Sequence, residues 1–458
     1  MSLTRQDPAL DRQIDDPSQL AEFFGKGETP RNEFRVGTEH EKVGLFEKTL
    51  EPVPYEGERG IAALLALLQS EHGFDPLIDN GTLVGLERDN ASITLEPGGQ
   101  LELSGAPLHT LHETCREFND HVALMKHVSE RFGIVWLGLG IHPLASLAEL
   151  PRMPRERYSL MRDHMQQRDE LGLWMMHGTG TVQANYDFET EDDAARKLRV
   201  ALAASPIITA MYANSIISEG VPNGFESRRA WIWRNTDPDR CGFPAFAFDE
   251  AWLEGGAYRQ YVEWALDVPA LFVMRDGHHA SLQGMTFRDY LKNGRGGLRA
   301  TFSDWNLHLT TLFPEARMKH VIEVRGADAV PPGLVCALPA FWKGIFYDDE
   351  SLQGALDLVS SWTHAQVDAL HRDVARSGLA AEAPGAPVLA VARELVELSA
   401  AGLARIGDLN PRGESEELFL DPLHEILDRG TSPARAALER WEGAWDRRID
   451  RLVEYAKY

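Results

Sequence analysis

Five glutamates, Glu39, Glu41, Glu96, Glu102 and Glu323, sit in stretches whose alternation would turn them to the polar sides of β-strands. In Phe34 to Phe46, Arg35, Glu39 and Glu41 share one face of a predicted strand and Phe34, Val36 and Thr38 share the other. Ser92 to Ser104 reads as a hairpin in which Ile93, Leu95, Leu101 and Leu103 alternate with Glu96, Gln100 and Glu102 around a Pro97-Gly98-Gly99 turn. Met318 to Arg325 repeats the pattern, with His320, Ile322 and Val324 against Val321, Glu323 and Arg325, ahead of a Gly326-Ala327-Asp328 turn and a Pro331-Pro332-Gly333 break. Several such faces in one sheet would gather carboxylates in one cavity. That chemistry suits magnesium, a hard cation that takes oxygen ligands and shares them with substrate phosphates. The 16 histidines and three cysteines show no zinc-binding spacing. Any one of these glutamates could be a solvent-facing residue of a one-sided sheet; five in similar settings favour a site.

A second constellation is basic. Arg228-Arg229, Trp231 and Trp233 follow Pro222-Asn223-Gly224 and precede Arg234 and the Asp237-Pro238-Asp239-Arg240 turn. Arginine holds carboxylates or phosphates bidentately, and tryptophan can wall off a small substrate or stack on a base. The alternative is salt-bridged surface arginines beside core tryptophans, and for Arg325 an ion pair with Glu323. The longest alternating stretch, Met175 to Phe188, places Thr179, Thr181, Gln183, Asn185 and Asp187 on one face and Val182, Ala184, Tyr186 and Phe188 on the other, an apolar core opposite a polar cleft.

The elements that must position these residues are mixed. Residues 18–24, 59–72 and 108–131 read as helices, and 132–141 as a buried strand. From about residue 350 the chain is nearly all amphipathic helix, including LQGALDLVSSW, VLAVARELVEL and ARAALERWEGAWDRRIDRLVEYA. No repeat, low-complexity tract or long linker divides it, so residues 1–458 read as a single catalytic unit of α+β class, with 350–458 a mostly helical part packed around the sheet.

Composition narrows the function. The 46 Lys plus Arg are outnumbered by 70 Asp plus Glu, giving a formal charge of −24, which disfavours nucleic acid as a partner. The N-terminal MSLTRQDPALDRQIDD has no apolar stretch of a signal peptide, and the longest apolar run, residues 132–141, is too short to cross a bilayer, so no membrane association is expected. Cys115, Cys241 and Cys336 form no CxxC or Cys/His cluster, consistent with a cytoplasmic setting and with core or helix-surface roles. There is no GxxxxGK[ST], no GxGxxG after a strand and no GxSxG elbow; any ATP site is of another kind, and no nucleophile is named.

Taken together, GTEHEKVG (37–44), LEPGGQLELSGAP (95–107), TGTVQANYDF (179–188), PNGFESRRAWIW (222–233), ALDVP (265–269), GMTFRDYL (284–291), HLTTLFPEARMKHVIEVRGAD (308–328) and CALPAFWKGIFYDD (336–349) resemble the plant-type glutamate-cysteine ligases, a family also found in bacteria. The resemblance runs in consistent order over roughly residues 18–450. It implies a glutamine-synthetase-like fold, a curved antiparallel sheet forming a funnel surrounded by helices. It also implies magnesium-dependent use of ATP as co-substrate, to phosphorylate the γ-carboxyl of glutamate for attack by the cysteine amine. The products would be γ-glutamylcysteine, ADP and phosphate, in the first step of glutathione biosynthesis.

Carried over by motif, Glu39, Glu41, Glu102 and Glu323 resemble metal ligands, with Glu96 a further one, and Glu102, Glu323 and Arg325 stand nearest the chemistry. Arg229, Trp233, Arg240 and Arg325 resemble substrate or nucleotide contacts, Thr179, Thr181, Gln183 and Asn185 a substrate wall, and Tyr261 and Met176 parts of a cysteine pocket. No residue is assigned as general base for the cysteine ammonium. The expected partners are the small-molecule substrates alone, in a monomer or homodimer. Plant members are regulated through disulfides, but GMTFRDYL here runs into KNGRGGLRATFSDW without a cysteine, so a plant-like switch in that loop is not expected. The rival readings are a related carboxylate-amine ligase using another amine, and a catalytically silent ATP or amino-acid sensor.

Overall fold

The computed structural model describes residues 10–168, 170–282 and 284–458; residues 1–9 of the N-terminal segment read above lie outside the described residues. Its centre is a nine-stranded sheet built from β1 (Val36–Phe46), β2 (Asp75–Asp79), β3 (Thr82–Arg88), β4 (Ala91–Leu95), β5 (Leu101–Ser104), β6 (Ile134–Leu137), β7 (Thr181–Tyr186), β8 (Ala316–Met318) and β9 (Ile322–Asp328). The order is β8-β9-β7-β1-β5-β4-β3-β2, with β6 also paired to β1. Every pairing within it is antiparallel. The expected α+β class, an antiparallel sheet surrounded by helices, is therefore what the chain adopts.

Register turns the sequence alternation into a site. Glu39 pairs across to Gln183 and Glu41 to Glu102, and Glu323 pairs to Asn185, so the polar positions of β1, β5, β7 and β9 share one face. On the opposite face Val36, Val182, Ala184, Tyr186, Ile322 and Val324 enter one hydrophobic core with the long buried helix Glu191–Tyr212 and the C-terminal helices Ala337–Phe346, Asp349–Val359 and Val388–Ile406. In chain order the first helices are α1 (Gln19–Gly25), α2 (Ile61–His72), α3 (Leu111–Glu130), α4 (Glu156–Arg168), α5 (Glu170–Gly178), α6 (Glu191–Tyr212), α7 (Arg228–Arg234) and α8 (Ala257–Asp267). A second core gathers Ile93, Leu95, Leu101 and Leu103 of the β4–β5 hairpin with α2, α3, α4 and α5.

Five readings from the sequence change. Residues 175–178 belong to α5, and the strand begins only at Thr181, beyond Gly178 and Gly180. The stretch 318–325 is a hairpin, β8 and β9, reversed at Lys319, whose N–H donates to the Val321 carbonyl. Gly326-Ala327-Asp328 is no turn: β9 continues through it, with a bulge between Val324 and Ala327. Gly326 is required there, because a Cβ would lie 2.4 Å from Ser205 Oγ of α6. The buried strand expected over 132–141 shortens to β6, and the last predicted helix divides into Pro433–Glu442 and Ile449–Ala456 around Gly443.

The cysteines also depart from expectation. Cys115 of α3 and Cys336 are 221 residues apart in sequence, yet their Cα atoms lie 5.9 Å apart and they form a disulfide. No local spacing announces a pairing made by tertiary folding. Among the described residues no helix is long and apolar enough to cross a membrane.

Candidate active site

The polar face of the sheet opens into a cavity lined by residues of several elements and their connecting loops. Glu39 and Glu41 enter from β1, Glu96, Pro97 and Gln100 from the β4–β5 turn, Thr181 and Gln183 from β7, and Arg325 from β9. Tyr158 and Met161 of α4, Met175 and Met176 of α5, Arg229 and Trp233 of α7, Phe313 and Arg317 complete the wall with Thr179. Gln100 ties two of these pieces together: its amide donates to the Thr179 carbonyl at 2.7 Å and accepts from Gly98 N at 2.9 Å.

Charge is divided across the cavity. Glu41 is held well above the usual carboxylate range by burial and then by Glu96 and Glu102, and Glu39 is raised by burial and by Glu102 and Glu323. Asn185 donates to Glu39 at 3.0 Å, and Thr94 to Glu102 at 2.7 Å. Facing them, Arg325 and Arg229 lie against the ring of Trp233, with their guanidinium carbons 5.3 and 5.6 Å from its centre. Arg229 donates one N–H to the Arg325 carbonyl at 2.9 Å, while its Nε is buried without a hydrogen-bond partner.

Glu323 is saturated by cations. Arg317 donates to it through Nε at 3.0 Å and Nη2 at 2.6 and 2.8 Å, Lys319 Nζ lies 3.2 Å away, and Arg325 donates as well. Burial would raise this carboxylate, but Arg317, Lys319 and Arg325 hold it well below its usual range. Arg325 in turn donates to Gln183 at 2.7 Å, so the ion cluster fixes the far wall of the cavity.

The near wall offers the donor chemistry of a hard divalent cation without a formed site. Glu39, Glu41 and Glu96 supply only oxygen, and the raised Glu39 and Glu41 mark carboxylates whose mutual repulsion a cation would relieve. Among the described residues no three carboxylate, His or Cys side chains already converge as a metal cluster, so binding would require these side chains to turn toward the ion.

The chain is similar to known proteins over most of its length. A profile of glutamate-cysteine ligase family 2 (GCS2) matches residues 35–455. The chain belongs to this family. It is 43% identical over 443 residues to the chloroplastic glutamate-cysteine ligase of Nicotiana tabacum, covering 96% of this chain and 82% of that one. It is 42% identical over 442 residues to the Arabidopsis thaliana enzyme, with the same coverage. Among solved structures, the glutamate-cysteine ligase from Francisella tularensis in complex with AMP shares the fold at 12% identity, with a TM-score of 0.56 over 92% of this chain and 88% of that one. The bifunctional glutathione synthetase from Pasteurella multocida is similar at 13% identity and a TM-score of 0.50, over 95% of this chain and 52% of that one.

Of the residues singled out in this family member, Glu39, Glu41, Glu96, Thr179, Thr181, Gln183, Arg229, Trp233, Arg325 and Met176 line the cavity. Thr179 and Thr181 spend their hydroxyl protons on the carbonyls of Met175 and Ala327, each at 2.7 Å. Glu102, Glu323 and Asn185 stand behind this lining. Two residues lie elsewhere. Arg240 is buried in a structural knot, donating to Asp237 at 2.8 Å and to the carbonyls of Thr311 and Pro269. Tyr261 is in the helical core, its hydroxyl accepting from Met318 N at 3.2 Å and its ring packed near Phe24, Phe246 and Trp264.

Arg317, Tyr158, Met161 and Phe313 line the cavity without having been singled out. Arg317 stands two and six residues before Lys319 and Glu323, an alternation that a strand beginning earlier would have exposed. Tyr158 donates to the Leu95 carbonyl at 2.6 Å and so braces α4 on the hairpin, a contact with no periodic signal in PRERYSLMR.

Proposed function

We propose that this chain ligates the γ-carboxyl of glutamate to the amine of cysteine at the expense of ATP, with magnesium held by Glu39, Glu41 and Glu96. The observation that carries the reading is one buried cavity in which those carboxylates face Arg229 and Arg325, in a chain of glutamate-cysteine ligase family 2.

A carboxylate is a poor acyl donor because oxide is a poor leaving group. Transfer of the γ-phosphoryl group of ATP to the glutamate carboxylate gives an acyl phosphate; the cysteine amine then attacks the acyl carbon, phosphate leaves, and the amine gives up a proton. Magnesium, when bound, would neutralise charge on the transferring phosphoryl oxygens. The protein's share is placement and charge. Arg229, with a buried N–H free to donate, suits a substrate carboxylate. Arg325, pinned by Glu323 and Gln183, presents fixed positive charge to an anionic group without reorganising during the reaction. Trp233, Phe313, Met161, Met175 and Met176 supply apolar wall that excludes water from the acyl phosphate.

The test of this order of events is a trap. With ATP, magnesium and glutamate but no cysteine, hydroxylamine should yield γ-glutamyl hydroxamate, and Glu41→Gln should abolish it. Glutamate-independent ATP hydrolysis with no hydroxamate would reject the acyl phosphate.

A further inference from the structure

Asp328 lies outside the cavity lining and is 1% exposed, at the C-terminal end of β9. Its carboxylate accepts three hydrogen bonds: from Asn214 N at 2.8 Å and Ser215 Oγ at 2.6 Å on Oδ2, and from Ser227 Oγ at 2.7 Å on Oδ1. An ionised carboxylate only accepts, so each serine must spend its single hydroxyl proton on Asp328 and turn lone pairs the other way. Those lone pairs receive the start of α7. Ser215 Oγ accepts from Arg229 N at 3.2 Å, and Ser227 Oγ, the N-cap, accepts from Ala230 N at 3.0 Å.

We propose that Asp328 is a positioning residue that, through Ser215 and Ser227, sets the backbone from which Arg229 reaches the substrate carboxylate.

The inference rests on the reading of Arg229 given above, and the geometry supports it from two sides. The other tether of Arg229, from its guanidinium to the Arg325 carbonyl at 2.9 Å, also comes from β9. A single strand, bulged between Val324 and Ala327, therefore presents Arg325 directly and Arg229 through Asp328. The fit around the carboxylate is close: a Cβ on Gly140 would stand 2.5 Å from Asp328 Cγ, leaving little room for another rotamer. Asn214 is itself held, its amide donating to the carbonyls of Gly138 and Ala329 at 2.8 and 3.0 Å. The donors around Asp328 thus cannot drift to accommodate a poorer acceptor.

Asp328→Asn keeps the size but turns an NH₂ group toward donors. The expected result is a KM for glutamate raised about 10- to 100-fold, the scale of a small misplacement of a binding group, with kcat lowered less and the KM for ATP unchanged. Ser227→Ala should move the glutamate KM in the same direction, and the double variant should be no worse than Asp328→Asn alone, since both act on one path. A lowered melting temperature with every KM unchanged would make Asp328 merely structural and overturn the proposal; if Asp328→Asn fails to fold, the KM split of Ser227→Ala and Ser215→Ala decides it. A readout without turnover separates this proposal from the reaction assigned above. The Arg229 Nε–H signal in a ¹H–¹⁵N spectrum, identified by its loss in Arg229→Lys, should shift or broaden in Asp328→Asn or Ser227→Ala. An unchanged signal would reject the positioning role whatever reaction the wild-type protein catalyses.

Discussion

Replacing Glu323 by glutamine should unfold the cavity wall before it disturbs anything else. The wild-type carboxylate is buried, accepts from the buried Arg317 and Arg325 and pairs with the partly exposed Lys319. Glutamine is nearly isosteric but uncharged, and its NH₂ faces guanidinium donors, so three cations lose their shared counter-ion. Removing one partner from a buried ion pair costs about 3–5 kcal/mol, a large part of a total stability of about 5–15 kcal/mol. Glu41→Gln is the matched control with the opposite sign. Burial, Glu96 and Glu102 disfavour the Glu41 charge, so neutralising it should leave stability without magnesium unchanged or raised by about 1 kcal/mol. Urea unfolding at pH 7.5 without magnesium, followed by tryptophan fluorescence, measures both. If Glu323→Gln falls within about 0.5 kcal/mol of wild type, the ordinary range for surface changes, while Glu41→Gln is strongly destabilised, the division of the cavity into a satisfied and a repulsive wall is wrong.

Three further outcomes follow from particular residues. Arg229→Ala should raise the KM for an amino-acid substrate by about 10²-fold, from loss of a charge-assisted carboxylate contact; steady-state kinetics with each substrate varied checks it, and unaltered values for both amino acids would exclude the contact. Burial lowers His142 and His177 to about 4, so below pH 6.5 the unfolded chain takes up protons that the folded chain does not. Their stabilising effect is complete above that pH and is lost as pH falls toward 4, by about 2 kcal/mol each between pH 6.5 and 5; His142→Gln should flatten the measured slope. Reducing the Cys115–Cys336 disulfide, which closes a loop of 221 residues, should cost up to about 5 kcal/mol. A Cys115→Ser/Cys336→Ser variant should then melt at the reduced wild-type temperature, insensitive to dithiothreitol.

Much of the near wall was legible because a strand's period of two is simple. Glu39 and Glu41, the β4–β5 hairpin and the Thr181, Gln183, Asn185 face follow from alternation alone, and register then brings them to one side. The far wall was harder. Nothing in Lys319-His320-Val321 marks a turn by Gly, Pro or Asn, so alternation alone runs the hairpin that returns Arg317 to Glu323 together as one strand. Residue type alone does not place Arg240 and Tyr261, whose polar atoms go to Asp237, to backbone carbonyls and to Met318 N. The pairing of Cys115 with Cys336 depends on α3 meeting the start of a helix 221 residues later, and Asp328 accepts hydrogen bonds from two serines in another part of the chain. Both are facts of tertiary structure with no local period.

The measurement that bears most directly on the assigned reaction is the mass of the product formed from ATP, magnesium, glutamate and cysteine by the purified protein, with phosphate release followed in parallel. Cysteine-dependent phosphate release, one phosphate per γ-glutamylcysteine formed and none without glutamate, is the expected result. Phosphate release coupled to a different amine, or ATP binding with no product from any amine, would contradict it.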